Sequence, residues 1–281
     1  MTLLPGVSSE RIINMSKVVL SVAAHGDDAE FRAGGTLAQM AAQGHDVYLC
    51  IATDNDRGSF RMSAEELRAV ARSEAEGSAA ALGAKGVFLL GYTDGDLCDV
   101  RPSVLRGQVM RLIRQLKADV IFSWDPFALF EGHPDHRAIA WATSDAAAFS
   151  HFNLYHPEQL EEGLEPHRVS EWYWYSKADW QLNKLVDTSG TIEHKLQALY
   201  AYKSQMVLTI DEFLEEARAA GVEGAILAGI DPMQYEPLIE VGVRAIDGKT
   251  GAQLGTAYAE GFRYERLEPP AVFAQVVAER G

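Results

Sequence analysis

Lys17-Val18-Val19-Leu20-Ser21-Val22-Ala23-Ala24-His25-Gly26-Asp27-Asp28 is a mostly apolar run of strand length that ends in a histidine and two aspartates. In open parallel α/β sheets ligands bind at the carboxyl ends of strands, so the polar residues fall where chemistry is expected. Gly34 and Gly35 then lead into a helical segment, Thr36-Leu37-Ala38-Gln39-Met40-Ala41-Ala42-Gln43, with Gly44 as its stop. The unit reads as strand, acidic loop and helix.

Outward from this stretch the same alternation continues. Strand-like runs at Val18 to Ala24, Val47 to Ala52, Val87 to Leu90 and Val120 to Trp124 are separated by helical segments near 36–43, 63–82 and 103–117. That order predicts a Rossmann-like α/β three-layer sandwich, with a mainly parallel sheet, helices on both faces and C-terminal elaborations. Ser63-Ala64-Glu65-Glu66 matches a capping box opening the second helix. After about residue 150 come a polar and aromatic segment, His151 to Asp179, a short run from Leu182 to Asp187 and a helix beginning near Thr191. These later parts are expected to wall the pocket without a true linker. One domain over 1–281 is expected, with a core of about 16–150 and an elaboration of about 151–281.

A second polar cluster, His133-Pro134-Asp135-His136, follows the strand-like Asp119-Val120-Ile121-Phe122-Ser123-Trp124 after the loop from Asp125 to Gly132. Pro134 fits the first helical position, which makes His133 the N-cap and puts Asp135 and His136 in the first turn. Both clusters can therefore reach one edge of the sheet. Histidine nitrogen and carboxylate oxygen brought from two distant segments is how a catalytic metal site with open positions is assembled. The bland alternative is that Asp27 and Asp28 cap one helix while His133 and Asp135 cap another. It explains each residue locally, but not why two helix entries at the same edge both carry histidine and aspartate.

At 281 residues, 47% hydrophobic and 23% charged, the chain can bury one large core. A net charge of −15 argues against a nucleic-acid partner and favours a neutral or cationic small substrate. No apolar stretch approaches the roughly 20 residues that span a bilayer, and the N-terminus lacks the pattern of a secretory leader, so cytoplasmic residence is expected. Cys50, in an apolar strand, and Cys98, in an acidic loop, read as reduced thiols. His45, His151, His156 and His167 read as surface residues, and Trp172-Tyr173-Trp174-Tyr175 as a core strand in preference to a sugar-stacking platform. Gly248-Lys249-Thr250 lacks the upstream glycine of a phosphate loop, and Asp247-Gly248 reads as a turn. Gly26, Gly34 and Gly35 do not fit a dinucleotide fingerprint, so a nucleotide cofactor is not expected.

The two clusters resemble the motifs of the PIG-L/LmbE-like zinc-dependent N-acetylglucosaminyl deacetylases, a family that includes amidases of thiol-sugar metabolism. Its first motif, AHPDD with an acidic residue behind, stands here as Ala24-His25-Gly26-Asp27-Asp28 with Glu30, and its second, HPDH, is intact at 133–136. Similarity extends to Gly34-Gly35-Thr36-Leu37, Thr53 to Ser59, Glu74 through Leu82-Gly83, Leu90 to Gly95 and Lys203-Ser204-Gln205. Gly26 replaces the usual proline, Asn55 stands where glycine is common, and Ala71 where arginine is frequent.

The resemblance implies that His25, Asp28 and His136 bind the metal, Zn2+ or another divalent transition ion such as iron, cobalt or manganese. It implies Asp27 as general base, His133 as an electrophilic or acid partner, and Asp135 as the group that orients His133 and raises its pKa. Asp54, Asp56, Arg57 and Asp94 are second-tier candidates for substrate binding or support, Arg57 equally for an ion pair with Asp56 or Asp94. The implied activity is hydrolysis of an N-acetyl group from a GlcNAc-type sugar or conjugate, in a protein resembling homo-oligomers. Alternatives are an amidase acting on a thiol-sugar conjugate, or a sugar-binding protein of the same fold without turnover.

Overall fold

The computed structural model describes residues 16–179, 181–222 and 229–268; the stretch inspected for a leader lies largely outside them. Seven strands, β1 (Val18–Ala23), β2 (Asp46–Thr53), β3 (Gly86–Tyr92), β4 (Val120–Trp124), β5 (Glu171–Tyr175), β6 (Lys184–Asp187) and β7 (Ala259–Arg266), form one sheet in the order β3-β2-β1-β4-β5-β7-β6. The first five run parallel and the last two pairings are antiparallel. Strands from beyond residue 150 therefore complete the sheet. This is the three-layer α/β fold that the alternation predicts.

Helices α1 (Asp28–Ala42) and α2 (Ala64–Leu82) cover one face together with α6 (Ile192–Ala201), while α3 (Pro102–Leu116) and α4 (Pro134–Phe149) pack on each other. A short α5 (Pro157–Glu161) precedes β5, and α7 (Lys203–Ala219) and α8 (Tyr235–Leu254) follow α6. With helices on both faces, β1 and β4 are buried along almost their whole length, which is why they read as unbroken apolar runs. Strand order reverses between β1 and β4, so their carboxyl ends flank a crevice of the kind that holds ligands in such sheets.

The capping box at Ser63 and Glu66 is formed, and α2 stops at Gly83 with φ +73°. Two sequence expectations fail. The first helix starts at Asp28 instead of Thr36, so Gly34 and Gly35 sit inside it. A Cβ at Gly34 would stand 3.1 Å from Lys195 Cγ and one at Gly35 2.7 Å from Thr188 Cβ; the glycines allow close packing and do not mark a break. Asp247-Gly248 is not a turn but lies within α8, because Asp247 faces inward onto Lys195 of α6 at 2.7 Å. The aromatic run of β5 is core: Tyr173, Trp174 and Tyr175 are buried, and Tyr173 stacks on Phe122.

Candidate metal centre

Both polar clusters meet at the β1/β4 crevice. His25 leaves the end of β1, and Asp28 opens α1. His133 is the N-cap of α4, Pro134 its first residue, and His136 lies in its first turn. His25 Nδ1 and His136 Nε2 are 3.1 Å apart, and Asp28 Oδ1 is 3.2 Å from His136 Nε2. The other oxygen of Asp28 is saturated: Oδ2 accepts the backbone N–H of Ala24 at 3.1 Å, that of His25 at 2.9 Å, and the indole N–H of Trp124 at 2.9 Å. One carboxylate oxygen is thus left facing the two imidazoles. His133 joins His25 and His136 with ring nitrogens within 4.8 Å, and its ring lies 4.7 Å from that of His136.

The outer nitrogens of both rings face carboxylates. His25 Nε2 is 3.0 Å from Asp94 Oδ1 and 3.4 Å from Asp135 Oδ2; His136 Nδ1 is 3.0 Å from Glu131 Oε1. An imidazole that donates its outer N–H to a carboxylate turns its lone pair inward. With the neutral rings protonated on those outer nitrogens, His25 Nδ1 and His136 Nε2, 3.1 Å apart, would present lone pairs to each other, an arrangement that a shared cation would satisfy. Four-coordinate zinc with bonds of about 2.1 Å spaces its ligand atoms by roughly 3.4 Å, so the donors fit a metal of that size. Two imidazoles and a carboxylate are also its usual catalytic donor set.

The outer layer is built from the second-tier residues. Asp56 Oδ1 accepts the backbone N–H of Asp94 at 2.8 Å and its other oxygen pairs with Arg68, while Arg57 donates to the Asp94 carbonyl at 2.8 Å and to Asp96. Arg57 therefore pairs with Asp96 and with neither expected aspartate side chain. Arg68, one turn before Ala71, supplies a guanidinium on a helix that lacks arginine at position 71. The Asp54 carboxylate takes no part in this layer.

Asp135 does not behave as read from its neighbour in sequence. Its carboxylate, fully buried, accepts the N–H of Gly95 at 2.6 Å and of Leu97 at 3.0 Å and faces His25. His133 instead accepts the backbone N–H of Asp135 on Nδ1 at 3.3 Å. Burial and then the charges of His25 and His136 push the His133 pKa down, outweighing the rise that Asp135, as expected, contributes. With Nδ1 accepting, neutral His133 carries its proton on Nε2 and can donate from there.

Burial opposes charge on His25, yet Asp135, Asp28 and Asp94 outweigh it and hold its pKa well above the ordinary value. Burial would raise Asp28, but His136 and His25 hold it well below the carboxylate range. Asp27 moves the other way: burial and then the Asp28 charge raise it well above. Its backbone has φ +105° and its side chain makes no cap hydrogen bond. Glu131 stays at about 2: burial opposes ionisation, but His136 and the His133 N–H outweigh it.

Sequence reasoning did not find Trp124 or Glu131. Trp124 also stacks on His136 with ring centroids 4.0 Å apart. Its only sequence signal is its place at the end of β4, while Glu131 stands two residues before His133. His45, His156 and His167 lie elsewhere, bonded to Lys17 N–H, Glu158 and the Ala118 carbonyl. Cys50 is buried, its thiol pushed up to about 12 by burial, and Cys98 is exposed. Among the described residues no helix is long and apolar enough to cross a membrane.

Among the known proteins that this chain resembles are sugar deacetylases. A diacetylchitobiose deacetylase of Thermococcus kodakarensis is 28% identical over 267 residues, covering 94% of this chain and 87% of that protein. A 1D-myo-inositol 2-acetamido-2-deoxy-alpha-D-glucopyranoside deacetylase of Mycobacteroides abscessus is 26% identical, covering 69% of this chain and 83% of that protein. The solved N,N'-diacetylchitobiose deacetylase of Pyrococcus horikoshii superposes with a TM-score of 0.72 at 28% identity, over 89% of this chain and 84% of that one. Residues 20–147, which hold most of β1, all of β4 and both polar clusters, match the PIG-L family, described as GlcNAc-PI de-N-acetylase. The chain carries a PIG-L family domain over those residues, as its two motifs implied.

Proposed function

We propose that this protein is a zinc-dependent hydrolase that removes the N-acetyl group from a GlcNAc-type sugar or sugar conjugate, giving acetate and a free amine. The observation that carries the reading is the convergence of His25 Nδ1, His136 Nε2 and Asp28 Oδ1 beside an Asp27 carboxylate free of cap bonds. The deacetylases among its relatives support the substrate class.

His25, Asp28 and His136 would hold the ion, which supplies a Lewis acid and a water acidified toward neutrality. Asp27, one residue from a ligand, accepts a proton from the attacking water. It then passes that proton to the departing nitrogen. His133, neutral and with Nε2–H available, donates to the carbonyl oxygen as negative charge builds on it. The C–N bond breaks as the nitrogen is protonated, so water and amide become acetate and amine. Asp94, Asp135 and Glu131 hold the two ligating rings in the required tautomers.

The test is zinc content and acetate release measured together, on wild type and Asp27→Ala, over a panel of N-acetylated amino sugars and their thiol and lipid conjugates. Near-stoichiometric zinc with acetate release that Asp27→Ala abolishes, metal retained, is the expected result. A zinc-loaded protein that cleaves some other amide and none of the panel would overturn the substrate class. Failure to bind zinc would overturn the ligand set.

A further inference from the structure

Gly26 lies between His25 and Asp27, and one side chain takes both polar atoms of its backbone. Asn55 Oδ1 accepts the Gly26 N–H at 3.1 Å, and Asn55 Nδ2 donates to the Gly26 carbonyl at 3.1 Å. Asn55 is buried and adopts φ +53°, a left-handed conformation that asparagine tolerates. Its Oδ1 is also 3.3 Å from the hydroxyl of Thr53, which donates to the Ala24 carbonyl at 2.9 Å, so the ends of β1 and β2 are tied together beside the clamp.

On the other side of Gly26 stands Tyr202, buried in the core. A Cβ at position 26 would lie 2.4 Å from Tyr202 Cε1, inside the ring's van der Waals surface. The turn held between amide and ring carries Asp27 in its left-handed conformation, which an aspartate keeps only where surroundings fix it. Gly26 and Asn55 are two of the positions at which the chain departs from its family's motif, and here they are bonded to each other. A proline at 26 has no N–H to give Asn55 and would bring its ring against Tyr202.

We propose that Asn55 is a positioning residue: through the Gly26 peptide it sets the Asp27 carboxylate relative to the His25 and Asp28 donors, with residue 26 held to glycine by Tyr202. The catalytic part of this inference rests on the deacetylase reading above; the clamp itself does not.

The experiment uses full-length protein, wild type, Asn55→Ala, Asn55→Asp and Gly26→Pro, each checked for unfolding temperature. Hydrogen exchange of the Gly26 amide reads the clamp without metal or substrate; it is expected to be slow in wild type and at least about tenfold faster in Asn55→Ala. The cobalt-loaded proteins are expected to differ in their visible absorption between wild type and Asn55→Ala. Under acetate-release assay, kcat of Asn55→Ala is expected to fall about ten- to a hundredfold with KM nearly unchanged, the scale seen when an outer support of a metal site is lost. Asn55→Asp, which keeps the acceptor for Gly26 N–H, recovers part of that loss. Gly26→Pro, though it restores the family's residue, lowers kcat. Unchanged Gly26 exchange with wild-type kcat in Asn55→Ala would overturn the proposal. If wild type releases no acetate from any conjugate, the deacetylase reading fails, and the exchange and cobalt spectra still decide the clamp.

Discussion

Replacing Lys195 with methionine is expected to destabilise the protein in a strongly pH-dependent way. The Lys195 ammonium, fully buried on α6, lies 2.7 Å from Asp247 Oδ2 on α8 and 2.9 Å from Glu260 Oε1 on β7. Glu260 in turn accepts the N–H of Gly35 at 2.9 Å and of Thr36 at 2.8 Å, in the middle of the helix that presents Asp28. Methionine keeps the length and volume but leaves two buried carboxylates without their cation. Breaking a buried pair in this way costs about 3–5 kcal/mol. Asp247 can escape part of that loss by taking a proton. Burial already pushes its carboxyl up from 3.8 to about 6, against the pull of Lys195. A carboxyl raised in the fold contributes stability that is complete below its unfolded value and lost as pH rises through the folded one. At pH 5, below the folded value, Asp247 is already largely protonated in wild type, so the variant loses only part of the pair there, whereas at pH 8 the ionised pair is lost and about 3–5 kcal/mol is expected. Urea unfolding of variant and wild type at both pH values measures it. A variant within about 1 kcal/mol of wild type at pH 8, or a loss equal at both pH values, would refute the reasoning.

Trp124→Phe keeps the stack on His136 but removes the indole N–H from Asp28 Oδ2, and zinc affinity by competition with a chelator is expected to fall about tenfold; an unchanged affinity means that this bond does not orient Asp28. Ser63→Ala removes the cap of α2 and should cost about 1 kcal/mol in urea unfolding, with acetate release at the wild-type rate. Stripping the protein with a chelator is expected to lower its unfolding temperature, and free zinc at a hundred times Kd to restore about 2.7 kcal/mol. A melting curve indifferent to zinc would count against the ligand set.

Much of the sheet was legible because β1 and β4 are buried on both faces and so are written as continuous apolar runs; β4 is found at Val120–Trp124, as read. The capping box of α2 was legible because it is local. The start of α1 was not, since Gly34 and Gly35 serve contacts to Lys195 and Thr188, more than 150 residues away. Asp247 failed for the same reason: a long-range ion pair overrode a local turn signal. At the site, ligand-type residues were legible as compact motifs, but the supports were not. Trp124 reaches Asp28 across 96 residues, and Asp135 bonds to Gly95 and Leu97, 40 and 38 residues back, in preference to its neighbour His133. Adjacency in sequence predicted the wrong partner because a helix start turns successive side chains in different directions.

The bland alternative of two capped helices accounts for only part of the site. It accounts for His133, whose Nδ1 accepts the Asp135 N–H as a cap does. It does not account for Asp27, which occupies the N-cap position of α1 at φ +105° and makes no cap hydrogen bond with its side chain. Nor does it account for the charge. Five carboxylates, of Asp27, Asp28, Asp94, Asp135 and Glu131, are gathered with three imidazoles, of His25, His133 and His136, and Lys177, 3.4 Å from Glu131, and Arg32 are the neighbouring cations. Helix starts at Asp28 and Pro134 each offer only about half a positive charge. A group of structural caps gains nothing from so many converging titratable side chains, and burial, followed by the Asp28 charge, raises the pKa of Asp27 among them. A divalent ion held by His25, Asp28 and His136 would supply the positive charge that these side chains face, and would favour an ionised Asp27, the form in which the proposed general base works.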